Sequence, residues 1–271
     1  MTASGPSIPE RAQPAVATRA LDVVAFEWTK LRSVRSNRWT LLISVLVTLA
    51  LTTVVAQGFA SGPAGRHSPV DPLAGSFLAY AEYTVLPVTV LSVLVFTSEY
   101  ASGLIRTTFA AVPRRRSVLA AKACVAGGAA LAVGEILAFA CFFVAQAVLS
   151  GRRGGLSVAQ PGVPGAIAAA GLALAACAVV GVAAGAIIRH TAGAIAAAIT
   201  VVYLLAALCL LLRSPWDIRL GRFTMPFAAY QLVSQHQQAG LLSPGLSLLV
   251  LLAWPALAVL AAATLLTRRD V

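Results

Sequence analysis

The chain has 271 residues, of which 59% are apolar and only 11% charged, against roughly 25% charged in an average soluble domain. With a mean hydropathy of +0.87, this much apolar surface excludes a water-soluble globule and makes lipid the solvent. The formal net charge of +11 then points to cytoplasmic loops and anionic lipid, and away from nucleic acid.

Residues 1–20 are rich in Pro, Ala, Ser and Thr and lack the apolar core of a signal peptide. They read as a short disordered cytoplasmic tail. In residues 21–38, Leu21, Val24, Ala25, Trp28 and Leu31 recur at helical spacing, while Lys30, Arg32, Arg35 and Arg38 crowd toward the first apolar run. The pattern predicts an amphipathic helix lying in the membrane interface. A helix packed on a soluble partner would look similar.

Residues 39–271 are expected to form one six-span transmembrane domain. By length and polarity the spans cover about 39–56, 75–96 (interrupted by Pro87), 118–149, 164–188, 192–212 and 246–266. The third is long enough to tilt or to project from the bilayer. Arg and Lys are divided fourteen to six between alternate sides of these spans. The richer side holds both termini and the 97–117 loop, which places them in the cytoplasm. The expected class is thus an all-α, multi-pass integral membrane protein with cytoplasmic N- and C-termini.

Of the outer loops, 57–74 and 150–163 are rich in Gly, Pro and Ser, whereas 213–245 carries Trp216, Phe223, Met225, Phe227 and Tyr230. That loop predicts a short helical or re-entrant segment, or an ordered loop with interfacial aromatics. The fourth and fifth spans are rich in Ala and Gly, and Gly181-x-x-x-Gly185 is a close-packing pattern, within the bundle or toward another subunit.

Catalytic signatures are absent from the sequence. Neither lysine follows a GxxxxG loop, and no HExxH or GxSxG occurs. Cys124, Cys141, Cys177 and Cys209 each stand alone in an apolar run, as small buried hydrophobes do. His67, His190 and His236 share no metal-ligand spacing. No catalytic residue, metal or cofactor is therefore expected in this chain, and ATP hydrolysis would belong to another subunit. Two carboxylates fall inside spans, Glu82 and, near the middle of the third, Glu135. Ionisable groups at membrane depth are expensive and mark candidate translocation-path residues. They would attract a cation, relay a proton, or lock two helices together.

The loop after Phe96 reads TSEYASGLIRTTFAAVPRRR and then runs on to Lys122. Helical signals precede Gly103, Pro113 stops a second short helix, and Arg114, Arg115 and Arg116 mark return to the membrane. A basic anchor without a partner would share the last feature.

At these residues the chain resembles the permease subunits of type-2 ATP-binding-cassette transporters. There, a Glu-x-x-x-Gly element, a Thr-rich stretch and a basic cluster join the second and third spans. The matching positions are Glu99, Gly103, Arg106, Thr107, Thr108, Pro113, Arg114, Arg115, Arg116 and Lys122. The opening FEWTKLRSVRSNRW is similar to the first helix of actinobacterial members, and Met225-Pro226 to the segment before their last span. The resemblance implies a six-span exporter permease whose 97–117 loop is a coupling helix. Glu99, Gly103, Arg106, Thr107 and Arg114 to Arg116 would engage a separate cytoplasmic ATPase that binds ATP and Mg, and a second permease copy would complete the complex. An ion- or proton-coupled transporter using Glu82 and Glu135, and a non-transporting anchor or sensor, are the rivals.

Overall fold

In a computed structural model, residues 20–61, 72–112, 114–150, 155–235 and 240–268 are described. The expected tail, the tips of the 57–74 and 150–163 loops and Pro113 lie outside those residues. All regular structure among the described residues is helical. Six helices are long and apolar enough to cross a membrane: Arg35–Ser61, Leu78–Ser102, Arg115–Leu149, Val163–Ile188, Thr191–Leu210 and Pro244–Arg268. These six make the chain a multi-pass membrane protein, because in hydrocarbon a helix satisfies its own backbone hydrogen bonds.

The elements run α1 (Ala20–Ser33), α2 (Arg35–Ser61), α3 (Pro72–Ser76), α4 (Leu78–Tyr83), α5 (Val85–Ser102), α6 (Leu104–Ala111) and α7 (Arg115–Leu149). They continue with α8 (Val163–Ile188), α9 (Thr191–Ile199), a π-helical turn (Thr200–Leu204), α10 (Leu205–Leu210), α11 (Trp216–Gly221), α12 (Met225–Val233) and α13 (Pro244–Arg268). The second span is α4 with α5, and the fifth is α9 with α10. The described residues of the expected 213–245 segment include two short helices, α11 and α12. The third span, α7, has 35 residues, about 52 Å at 1.5 Å per residue, so it outreaches a hydrocarbon core of roughly 30 Å.

α8 is the axis of the bundle and packs against α5, α7, α9, α12 and α13. Lipid supplies no hydrophobic drive between helices, so close backbone approach through small residues must hold them. A methyl at Gly181 would lie 2.8 Å from the Thr89 carbonyl oxygen, and one at Gly185 would lie 2.8 Å from that of Val93. The glycine pair therefore seats α8 directly on α5. On the other side, a methyl at Gly134 of α7 would meet Gly171 Cα of α8 at 3.0 Å.

The second span breaks where Pro87 predicts. Proline has no N–H for the carbonyl four residues earlier, here Tyr83, and the Ser44 hydroxyl of α2 donates to that oxygen at 3.3 Å. One turn on, the Thr48 and Thr84 hydroxyls share a hydrogen bond of 2.8 Å. At the far end of α7, Gln146 donates to Ser76 Oγ at 3.3 Å and accepts from the Leu156 N–H at 2.7 Å, tying α3 and the post-α7 loop together.

Candidate functional site

The loop between the second and third spans is a short helix with a break at each end. α5 closes at Gly103, whose φ of +74° is left-handed, a conformation costing roughly 1–2 kcal/mol for a residue with a Cβ. α6 then runs Leu104–Ala111 and ends at Val112, which is extended (φ −128°, ψ 89°), as the residue before a proline must be. Ile105 is buried on the bundle and Phe109 half-buried, while Leu104, Arg106, Thr107, Ala110 and Ala111 are exposed. Both Thr107 and Thr108 turn their hydroxyls back onto the Leu104 carbonyl, at 2.7 and 3.1 Å.

Beneath α6 lies a buried ionic junction. Glu99 of α5 is 1% exposed and Lys122 of α7 is fully buried. Glu99 Oε1 accepts from both Lys122 and Lys30 of α1. The Lys122 ammonium also donates to Glu27 Oε2 of α1 at 2.8 Å, and Glu27 is 4% exposed. Two carboxylates and two ammoniums thus join three helices, the charges balancing in number. The Lys122 ammonium sits 5.5 Å from the centre of the Phe96 ring, Phe96 stacks on Tyr100 at 5.8 Å, and the Arg189 guanidinium lies 5.4 Å over Tyr100. The chain of contacts therefore reaches the C-terminus of α8.

The arginine triplet divides its work. Arg114 and Arg116 are exposed. Arg115 lies 5.4 Å from the Phe109 ring centre and donates to the Leu266 carbonyl at 3.1 Å. That carbonyl belongs to the last turn of α13, whose oxygens have no partner within the helix. Arg115 thereby ties α6, α7 and α13 to one another.

The resemblance groups Glu99 with Gly103, Arg106, Thr107 and the three arginines, but their positions differ. Arg106, Thr107, Arg114 and Arg116 form surface, whereas Glu99 is interior and Arg115 half-interior. Glu27 was not among the expected site residues, and its pairing with Lys122 crosses 95 positions of sequence. One signal was present: the chain has only two lysines, Lys30 and Lys122, and both end on Glu99. An ammonium is a compact, strongly hydrated point charge with three donors, so enclosing one takes the opposite charge that Glu27 and Glu99 supply.

Glu82 and Glu135 are remote from the junction. Glu82 is exposed at the edge of a cavity in the opposite half of the bundle. Glu135 is half-buried on α7, and its carboxyl occupies the space a side chain at Gly171 would need. Tyr80 lines the cavity and donates its hydroxyl to the Ala170 carbonyl at 3.0 Å. Among the described residues no group of three His, Cys, Asp or Glu side chains is placed to hold a metal ion. No protein-family model, curated protein or solved structure matches this chain.

Proposed function

We propose that the chain is the membrane-spanning subunit of an ATP-driven exporter of the type-2 ATP-binding-cassette kind, worked through α6 by a separate ATPase. The observation that carries this reading is the placement of α6 over the ionic junction. A free helix face of Leu104, Arg106, Thr107, Ala110 and Ala111 is mounted on α5 and α7, which are pinned to each other and to α1 through Glu99, Lys122, Glu27 and Lys30. Displacement of α6 is then passed to the second and third spans together, instead of being lost in a flexible loop. ATP and Mg are bound by the partner, and ATP shifts the bundle only by its differential binding to two states.

In this reading both termini and α6 face the cytoplasm of a bacterial cell, and a second permease copy completes the assembly. α1 lies in the interface. It turns Val23 and Glu27 to the bundle and leaves Leu21, Phe26 and Trp28 outward, where the acyl boundary would receive them.

The test is purification of the tagged chain from its native membrane, followed by assay of vanadate-sensitive ATP hydrolysis in the eluate. We expect activity with the wild type and its loss in Thr107→Arg, which adds bulk and charge to the exposed face without touching the junction. An eluate without ATPase activity, or with activity undiminished in Thr107→Arg, refutes the proposal. A proton-coupled transporter is the second reading, favoured by two carboxyls within the spans, Glu82 at the cavity edge and Glu135 against Gly171 of α8. It requires solute movement by the purified chain without nucleotide, abolished by Glu135→Gln.

A further inference from the structure

The half of the bundle opposite the basic end holds a half-open cavity of about 340 Å³ that the coupling scheme leaves without a use. Its walls come from α3, α4, α5, α8, the π-helical turn, α12 and α13, and they are apolar throughout, with five aromatic rings, except for Glu82. Glu82 is the one charged residue in this lining, and it is exposed. Among the described residues it forms no salt bridge. An unneutralised carboxylate at the edge of an aromatic-lined apolar cavity is complementary to one chemistry, a single positive charge on an apolar body. The carboxylate supplies the counter-charge, and ring faces attract a cation by about 0.5–2 kcal/mol each, more as water is excluded. The volume lies at the small end of ligand sites, which rules out a peptide or an oligosaccharide held whole.

Two departures from regular helix converge on this cavity. The π-helical turn Thr200–Leu204 places Val202 and Tyr203 in one wall, and such turns inside α-helices recur at functional sites. The α4–α5 break borders the facing wall, and the Tyr203 hydroxyl crosses to donate to the Ala81 carbonyl at 2.8 Å. At the third side, Trp254 Nε1 donates to the Phe223 carbonyl at 2.9 Å and holds the segment leading into α12 against α13.

We infer that the cavity binds a small monovalent organic cation with an aromatic or branched apolar body, and that Glu82 is its counter-ion. The inference deepens the transport reading and rests on it for the purpose of the site. The experiment uses the full chain in lipid nanodiscs and equilibrium dialysis of radiolabelled benzyltrimethylammonium. Neopentylbenzene, its uncharged isostere, serves as competitor. Saturable binding is expected, weakened at least about tenfold by Glu82→Gln, equivalent to about 1.4 kcal/mol. Glu82→Asp should keep most of the affinity, and Ala229→Phe, which fills the cavity without changing charge, should abolish it. Absence of saturable binding overturns the inference. So does undiminished binding by Glu82→Gln, or competition by the neutral isostere at equal concentration, which would make the cavity a pocket for lipid chains. The ATPase takes no part in this assay. Cation binding by a chain that captures no ATPase would remove the permease reading alone, and ATPase capture by a chain that binds no cation would remove the cation site alone.

Discussion

At the scale of single residues, Lys122 decides whether the basic end of the bundle holds. An ammonium taken out of water costs several kcal/mol even after relaxation, and it persists only where opposite charge and hydrogen bonds offset that cost. Lys122 meets both conditions through Glu27 and Glu99. Lys122→Met should lower stability by about 3–5 kcal/mol, because two buried carboxylates would then share Lys30. Adding Glu27→Gln should return a large part of the loss by restoring one anion to one cation. Unfolding midpoints of the single and double variants in mixed micelles measure both effects. Full additivity of the two substitutions would show that the ions do not act as a unit. The same burial makes Glu99→Ala a poor probe of coupling, since it damages the fold before it reaches α6.

At the scale of elements, the contact between α8 and α5 is made by backbone. Gly181→Ala and Gly185→Ala should each destabilise the bundle by about 1–3 kcal/mol, the cost of overpacking a fitted interface. Gly128→Ala on α7, where an added methyl meets nothing within 4 Å, is the control. Thermal midpoints in detergent that fall equally for all three would argue against the close approach. Much at this scale was legible beforehand. The spans follow from apolar length, the break in the second from Pro87, and the ends of α6 from Gly103 and the proline after Val112, because each is dictated by chemistry within a few residues. The glycine pair announced a close contact but not its partner, since a missing side chain carries no address. The π-helical turn at Thr200–Leu204 had no forewarning, because an extra residue in a helical turn has no propensity of its own. The junction was half legible: Glu99 and Lys122 fall within the segment that resembles the permeases. Glu27 lies on a helix that was read for its basic and apolar residues, and nothing within a few positions of it points to Lys122, 95 positions away.

At the scale of the whole molecule, charge and cavity are segregated. The ionic junction and the α6 face occupy one end, and the aromatic cavity with Glu82 the other, with α8 running between them. If α6 is the lever, motion at one end must travel along α5 and α7 to change the opposite half. The proposed orientation has a direct check. With the native cysteines replaced, Ser102→Cys beside Gly103 should react with a membrane-impermeant maleimide only after the cytoplasmic side is opened. Phe223→Cys should react in intact cells. The reverse pattern would invert the topology and separate α6 from any cytoplasmic ATPase.

Both lysines of the chain are committed to the junction, Lys122 wholly and Lys30 with about a third of its side chain exposed (32%). The folded protein therefore offers acylating reagents almost no side-chain amine, whatever its many arginines do. Reaction of Lys122 with such a reagent, read by mass spectrometry of its tryptic fragments, becomes a native gauge of how often α1, α5 and α7 part company, with no engineered label in the molecule.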